Sequence, residues 1–542
     1  MLALFASLSI LVVALLGWGG VAAGRALGKR PPADDEMRLA LEGFTGFFAF
    51  SVAGTVLHVL TPLGPGWAAA FAAAGIALFI ARWRERLAGV SRTDVLAGGA
   101  LLAALAALSS APVRLYDTGL YHLPSVRWLS EYPVVFGLAN LHQRLGTNSS
   151  LFPAAALLEL PGLGGLSPQL AAALVLFFFS TAVARAIQAC FRGAPTPSRL
   201  LLALGAWPAI LAAADDSVPS LSTDLPVTFL TIVSAALLLR SGNAERRFEE
   251  RAALALAALA VSVKLSAAGW FLGCLLAARA LPPASLLLFA APWFVRGVAL
   301  SGCLFFPSGL GRIGSLPWTI PSDRAAAAAA KVGSWARAGR VPEEMVSGVA
   351  WLPRWAVTTA VRPSVAPLLL LGVAGVVLYV LRRPGRDFLP SVRRTALASA
   401  VASVFWFATA PDPRFAYGAL FVLAALPFVA ARARPVGAAT RAERRAAAVL
   451  LGLALAGASG VRVRRAAQDP VGSHPLLSPP RAIVPEAVTR RSAAGEPVFM
   501  PARPSVDDRC GAAPLPCTPE LDPELVVERR ADGRFLAFRS GR

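Results

Sequence analysis

The sequence predicts an all-α polytopic membrane protein, and three observations lead to that fold class. Hydrophobic residues make up 56% of the chain and charged residues only 15%. The mean hydropathy is +0.60, which lies outside the range of soluble globular proteins. The apolar residues also collect in runs separated by polar stretches, as expected for helices that satisfy their own backbone hydrogen bonds in lipid.

The runs predict about 14 transmembrane helices, within a range of roughly 12–14, although several are short for a bilayer of about 30 Å. We expect the first run to remain as a helix and not to be removed as a signal peptide, because no basic segment precedes it. The runs lie near residues 2–22, 42–60, 66–81, 93–110, 168–189, 200–214, 225–240, 252–264, 266–280, 284–303, 364–381, 393–410, 414–431 and 446–460.

Charge distribution predicts the orientation of these helices. Lys and Arg are concentrated in alternate short loops near residues 25–38, 82–92, 240–251, 382–394 and 432–445. Basic loops stay in the cytoplasm, so the net charge of +21 is a sign of topology and not of nucleic-acid binding. The segments predicted to be external are then 111–167, 215–224, 304–363, 411–414 and 461–542.

This topology divides the chain into five parts. Residues 1–92 form N-terminal transmembrane helices, and residues 93–303 form a membrane module that contains the first external loop. A large external loop at 304–363 follows, then C-terminal transmembrane helices at 364–460. Residues 461–542 are rich in Arg, Pro and Ala, which predicts a small external tail at the membrane face.

The first external loop is too long and too polar to be a simple connection. Loops between spanning helices can be a few residues long, so a long loop dense in ionisable and aromatic groups indicates a functional surface. Asp117, just past a helix end, is the candidate catalytic carboxylate; the alternative is an N-cap for the next helix. The other polar or aromatic candidates in the loop are Tyr116, Tyr121, His122, Arg127, Asn140, His142, Arg144 and Asn148.

A second acidic cluster lies in the short external loop that follows. Asp215, Asp216 and Asp224 can supply the clustered oxygen ligands that a divalent cation prefers, so a metal site is one interpretation. Asp224 stands before Leu-Pro, and capping of the next helix is the other interpretation.

Three cations occupy unusual positions for a membrane protein. Lys264 lies between two short apolar halves and Arg296 inside an apolar run, which marks both as candidates for binding an anion or an acidic side chain. Snorkelling to the interface is the alternative. Arg414 directly follows Pro413 in a turn that Pro411 and Pro413 restrict, and it suits a phosphate; an ion pair with Asp412 is the alternative.

The cysteines fall into two groups. Cys190, Cys274 and Cys303 lie in or beside apolar runs and are expected to be buried apolar residues. Cys510 and Cys517 lie in the polar tail, where a short Pro-containing segment between them allows a disulfide; two free thiols are the alternative.

The order of these features from residue 93 to about 380 resembles the membrane module of GT-C superfamily glycosyltransferases. The shared features are the long first external loop headed by an acidic residue, the second acidic loop, the broken hairpin around Lys264 and the large loop after the seventh helix. The first loop departs from the family pattern, since it has Asp117 alone and no Asp-x-Asp. The strings YDTGLYH, GLANLHQRLGTNSS, SGCLFFPS, APDPRFAYG and CGAAPLPCTP also resemble a group of bacterial multispanning membrane proteins without an assigned activity.

The GT-C resemblance implies a sugar transfer from a polyprenyl-phosphate donor to a glycan, lipid or protein acceptor at the external face of the bacterial cytoplasmic membrane. Asp117 would activate the acceptor hydroxyl, while Lys264, Arg296 and Arg414 would stabilise the leaving phosphate. Tyr116, Tyr121, His122 and Trp128 would form the wall facing the sugar. A divalent cation is a possible cofactor. A polysaccharide polymerase or ligase and a lipid-linked substrate transporter are the rival interpretations, although a transporter should show two related halves.

Overall fold

The protein is described here from a computed structural model, in which most described residues are helical. The described residues are 2–27, 36–87, 90–165, 167–193, 195–215, 217–240, 247–282, 285–338, 348–382, 389–432, 485–492 and 495–541.

Among the described residues before the tail, the regular structure is helical. In chain order they are α1 Leu2–Leu27, α2 Arg38–His58, α3 Pro65–Ile80, α4 Trp83–Leu87, α5 Arg92–Ser109, α6 Leu123–Glu131, α7 Leu138–Leu141, α8 Leu151–Ala156, α9 Ser167–Phe191, α10 Pro197–Leu204, α11 Ala206–Ala214, α12 Asp224–Arg240, α13 Arg247–Val263, α14 Ala268–Ala277, α15 Ser285–Ser301, α16 Ser322–Ala338, α17 Leu352–Ala360, α18 Ala366–Arg382, α19 Leu389–Thr409 and α20 Tyr417–Arg432. Single helical turns at Thr118–His122, Gln143–Gly146, Leu265–Ala267 and Pro413–Phe415 complete the helical part.

Five helical stretches among the described residues are long and apolar enough to cross a membrane, not the 14 that the apolar runs predict. They are Leu2–Arg25, Arg38–His58, Arg92–Ser109, Gln169–Phe191 and Pro197–Ala214. Shorter apolar helices cover Pro65–Ile80, Leu265–Ala277, Ala366–Leu381 and Tyr417–Arg432. The count differs because an apolar run does not guarantee one long helix: α13 and α14, for example, are separated at Lys264. The predicted run at 446–460 lies outside the described residues.

The first three helices pack closely through glycines. A Cβ atom added at Gly17 of α1 would lie 1.8 Å from the carbonyl oxygen of Gly75 in α3. At Gly19 it would lie 1.7 Å from the carbonyl oxygen of Glu42 in α2, and at Gly46 it would lie 2.1 Å from that of Leu15. Small residues let helix backbones approach closely, which is the usual way that membrane helices associate.

The tail forms two small antiparallel hairpins, which the sequence analysis did not predict. β1 (Ala487–Arg491) pairs with β2 (Pro497–Pro501), and β3 (Leu525–Arg529) pairs with β4 (Phe535–Ser540). The second hairpin lies on the first loop, where the Phe136 N–H donates to the Leu536 carbonyl and the Phe538 N–H to the Phe136 carbonyl, both at 2.9 Å.

The segments predicted to be external contact one another. The Leu221 N–H in the second acidic loop donates to the Thr118 hydroxyl oxygen at 3.3 Å. Arg324 at the start of α16 forms an ion pair with Asp522 of the tail. Through these contacts the two long loops, the acidic loop and the described part of the tail lie next to one another at one end of the helices.

Candidate functional site

A cavity of about 450 Å³ lies where these segments meet. Its polar lining includes Asp117, Tyr121, Gln143, Arg144, Thr147, Asn148, Lys264, Lys331 and Arg414. Its apolar lining includes Leu265, Trp293, Leu304, Phe306, Val332, Phe405 and Phe415. The first loop, the break after α13, helices α15, α16 and α19, and the turn at 410–415 therefore build one site. Its volume is in the range of small-molecule pockets, about 300–1,000 Å³.

Asp117 and Arg414 form an ion pair at the wall of this cavity. The Arg414 Nη1 atom lies 3.2 Å from the Asp117 Oδ2 atom. The guanidinium also stacks over the Trp335 and Phe415 rings, with its carbon 4.5 and 4.9 Å from their centroids. Asp117 precedes the helical turn at Thr118–His122 but makes no side-chain capping bond there, so the capping interpretation of this residue is wrong.

The turn that carries Arg414 is held by indole groups. The Trp355 Nε1–H donates to the Pro411 carbonyl and the Trp406 Nε1–H to the Asp412 carbonyl, both at 2.7 Å. Asp412 accepts the Arg414 backbone N–H at 3.0 Å, and its carboxylate lies 3.3 Å from Arg362. The acidic partner of the Arg414 guanidinium is thus Asp117, so the alternative of a side-chain ion pair with Asp412 is wrong.

The charges around Asp117 keep it ionised. Burial alone would raise the pKa of Asp117, but Arg414, His122 and Lys264 outweigh burial and hold the pKa below the ordinary carboxyl value. Burial would likewise lower the pKa of Arg414, whereas Asp224, Asp117 and Asp412 raise it. Both partners are therefore charged at neutral pH, and Asp117 is a weaker base as long as Arg414 stays beside it.

Lys264 occupies the break between two helices and pairs with Asp224. α13 ends at Val263, and Lys264 itself has extended backbone angles (φ −155°, ψ 127°). Its Nζ atom lies 2.5 Å from an Asp224 carboxylate oxygen and 4.3 Å from the centroid of the Phe415 ring. Asp224 is the first residue of α12. It therefore begins a helix and neutralises a cavity cation at the same time.

Arg296 lies behind the cavity wall and not on it. Its side chain is buried, and its Nη1–H donates to the Asn148 side-chain oxygen at 2.7 Å. The Asn148 Nδ2–H in turn donates to the Trp293 carbonyl at 2.6 Å. Arg296 thus holds the cavity-lining segment around Asn148 against α15. The snorkelling alternative is wrong for this residue, because its side chain is not at a surface.

Of the aromatic and basic candidates in the first loop, Tyr121 and Arg144 line the cavity, whereas Tyr116, His122 and Arg127 do not. Tyr116 is exposed and donates its hydroxyl to Asp508 of the tail. Arg127 pairs with Glu131 at 2.8 Å and donates to the Ala513 carbonyl, so it joins the tail to the loop. His122 is buried against Tyr121, and burial lowers its pKa to about 4.

The acidic loop shows no metal-binding arrangement in the described part of the chain, where no group of three or more His, Cys, Asp or Glu side chains is placed to hold an ion. The Asp215 carboxylate accepts the Ser217 N–H at 2.8 Å, and Asp224 pairs with Lys264. Asp216 lies outside the described residues, so the predicted three-carboxylate cluster is described only in part.

Cys510 and Cys517 are joined by a disulfide, with their Cα atoms 5.9 Å apart, and the alternative of two free thiols is wrong. The neighbouring Gly511 N–H donates to the Gly119 carbonyl at 2.8 Å. Gly119 is two residues from Asp117. The disulfide therefore closes the part of the tail that contacts the head of the first loop. Cys274 and Cys303 are buried, as expected, whereas Cys190 is only partly buried.

Two cations of the cavity have no chemical role that sequence patterns alone indicate. Arg144 belongs to the helical turn Gln143–Gly146, and Lys331 belongs to α16. Arg144 is one of the polar residues of the first loop, but nothing in its spacing relates it to Asp117. Lys331 directly follows the alanine run, and the change from six alanines to a lysine is the signal that could have found it.

These features define the class as a mostly helical protein that has helices long and apolar enough to cross a membrane and a cavity lined by both charged and apolar side chains. The chain belongs to the family described as a domain of unknown function, DUF8201, whose model matches residues 1–421. That range contains every residue that lines the cavity and ends within α20. No curated protein and no solved structure matches the chain.

Proposed function

We propose that the chain is a GT-C-type glycosyltransferase. It would move a sugar from a polyprenyl-phosphate donor to a cell-envelope acceptor at the external face of the bacterial cytoplasmic membrane. A single observation carries the proposal: one cavity combines a carboxylate, several cations and apolar walls. A lipid-linked phosphosugar requires that combination, because its parts are an isoprenoid chain, an anionic phosphate and a sugar.

In the proposed reaction Asp117 accepts the proton of an acceptor hydroxyl. The acceptor oxygen bonds to the anomeric carbon of the sugar, and the bond from that carbon to the phosphate oxygen breaks. The electron pair of the broken bond leaves with the lipid phosphate, whose charge the cavity cations stabilise. Because Arg414 lowers the basicity of Asp117, we expect catalysis to require movement of Arg414 away from the Asp117 carboxylate once substrates are bound.

The experiment measures transfer of labelled sugar from polyprenyl-phosphate donors by purified protein in lipid nanodiscs. Two alanines of α16 provide a matched pair of variants. Ala329 lines the cavity, whereas Ala327 is exposed on the same helix and outside the lining. We expect Ala329→Trp to fill the cavity and reduce transfer on the order of tenfold or more, while Ala327→Trp leaves transfer near the wild-type rate.

Two results would contradict the proposal. The first is a folded wild-type protein that neither binds nor uses any polyprenyl-phosphate sugar. The second is equal transfer by the two tryptophan variants, with the melting temperature of each checked, because the reaction would then take place elsewhere.

A further inference from the structure

The cations that line the cavity differ in their partners. Lys264 lies 2.5 Å from Asp224, and Arg414 lies 3.2 Å from Asp117, so a carboxylate already offsets each charge. Arg144 and Lys331 also line the cavity, and neither has an ion-pair partner among the described residues. An incoming anion would have to displace a directly paired carboxylate from the first two cations, whereas Arg144 acts on Asp117 only without a direct ion pair.

Arg144 and Lys331 come from distant parts of the chain, yet both line one cavity and both act electrostatically on one ring. Burial, and then the charges of Arg144 and Lys331, lower the pKa of His142 to about 3. Both cations are therefore within electrostatic reach of the same side chain, although 187 positions separate them in the chain (331 − 144). Arg144 is supported by its own turn, in which the Thr147 N–H donates to the Arg144 carbonyl at 3.1 Å.

The surroundings of this cation pair suit a phosphate group. A guanidinium offers a planar fork of donors and an ammonium offers a mobile point charge, and both bind phosphate oxygens well. Gln143 and Thr147 line the cavity beside Arg144 and supply further polar groups. In a partly enclosed cavity such charges act more strongly than they do in water.

We propose that Arg144 and Lys331 form the phosphate subsite of the cavity, a role that the sequence analysis gave to Lys264, Arg296 and Arg414. This inference rests on the proposed function, because it assigns the phosphate of the lipid-linked donor. It leaves Arg414 as the partner of Asp117 and Lys264 as the partner of Asp224. Arg296, which is behind the wall, acts only by holding Asn148.

The experiment measures binding of sugar-free polyprenyl monophosphate to the full chain in nanodiscs by native mass spectrometry. We expect Arg144→Gln and Lys331→Gln each to weaken binding about tenfold, and the double variant about 100-fold, as for the loss of one and two charged hydrogen bonds. Arg354→Gln is the matched control, because Arg354 is exposed on α17 and outside the cavity lining. Arg144→Lys should retain part of the affinity, since it keeps the charge but not the fork.

Polyprenol without a phosphate separates a lost phosphate contact from a lost fold. The double variant should bind polyprenol as well as the wild type does, because the apolar walls are unchanged. Inorganic phosphate should compete with polyprenyl monophosphate for the wild-type protein, because the subsite binds the phosphate headgroup. Competition by polyprenol but not by inorganic phosphate would place recognition in the lipid chain and overturn the subsite.

The two possible failures are distinguishable. Wild-type protein that binds no polyprenyl monophosphate contradicts the proposed function itself. Normal binding by the double variant, with a large loss in Lys264→Gln or Arg414→Gln, overturns only the assignment of the subsite to Arg144 and Lys331.

Discussion

The two long loops at the cavity end of the molecule are supported in different ways. The first, 111–167, lies beneath the tail, and its Thr118, His122 and Trp128 side chains are buried. The second, 304–363, has large apolar side chains exposed, including Val357 at 68% and Val361 at 72%. The comparison indicates that the carboxylate of the cavity is on a buried support, while α17, which follows the cavity-lining helix α16, is largely exposed.

Aromatic packing and backbone bonds account for the rigidity of the first loop. The Trp128 ring contacts the Phe535 and Phe538 rings of the second hairpin, with centroids 5.5 and 5.8 Å apart. Backbone hydrogen bonds join Phe136 to that hairpin. Regions with many buried contacts open only at a high free-energy cost, so we expect slow hydrogen exchange in this loop.

Helices α16 and α17 of the second loop pack against α19 and the turn that carries Arg414. Ala336 of α16 packs with Trp406 and Phe415, and Trp355 of α17 packs against Trp406 with centroids 5.9 Å apart. Tryptophans beside exposed valines are typical of a helix at the membrane–water interface. The exposed face of α17 therefore suits contact with lipid rather than with protein.

The largest effect is expected at the carboxylate of the first loop. Asp117→Asn keeps the shape of the side chain but removes the base, so transfer should fall on the order of 10²-fold. Asp323→Asn in the second loop is the control, because Asp323 is exposed at the start of α16. Initial rates with saturating labelled donor provide the measurement.

A folded Asp117→Asn protein with near-normal transfer would exclude Asp117 as the base. Equal losses of transfer in Asp117→Asn and Asp323→Asn would instead show that the first loop is no more important for the reaction than the second loop.

A smaller effect is expected when the disulfide that closes the tail is removed. Replacing Cys510 and Cys517 by Ser should destabilise the tail by about 2–3 kcal/mol, since the loop they close is short. The loss should be visible as faster amide exchange at Gly511, whose N–H bonds to Gly119. Cys190→Ser is the control because Cys190 is a free thiol. Unchanged exchange at Gly511 would mean that packing, and not the disulfide, holds this contact.

A further effect concerns acid sensitivity, which should come from the first loop. Burial lowers the pKa of His122 to about 4 from 6.5, so between these pH values the unfolded chain binds the extra proton and the folded chain does not. Stability should therefore fall as the pH drops through this window, by about 1.4 kcal/mol per pH unit for a single site.

His122→Phe keeps a ring in place and removes one proton-binding site, so it should reduce this dependence by one site, while His142, whose pKa burial also lowers, keeps its own contribution. The melting temperatures of variant and wild type at pH 7 and pH 4.5 are the measurement. The second loop contains no histidine to produce the same slope. An unchanged shift of melting temperature in His122→Phe would assign the acid sensitivity to other groups.

Composition alone determined that this chain is helical and suited to a membrane, because lipid forces backbone groups to pair within helices. The local sequence also indicated Asp117, Lys264 and Arg414 as candidate site residues. An ionisable residue beside an apolar run costs free energy to place there, so it usually has a functional reason. The disulfide followed from the short separation of two cysteines in a polar tail.

Only the tertiary structure decided which charges meet. Asp117 and Arg414 are 297 positions apart (414 − 117), and no local pattern can pair them. The same holds for Arg144 and Lys331, and for the second tail hairpin, whose Phe535 and Phe538 rings pack against Trp128. The number of spanning helices also depended on packing. The apolar run before Lys264 is short and ends inside the protein. It can end there because Asp224 neutralises the charge of Lys264.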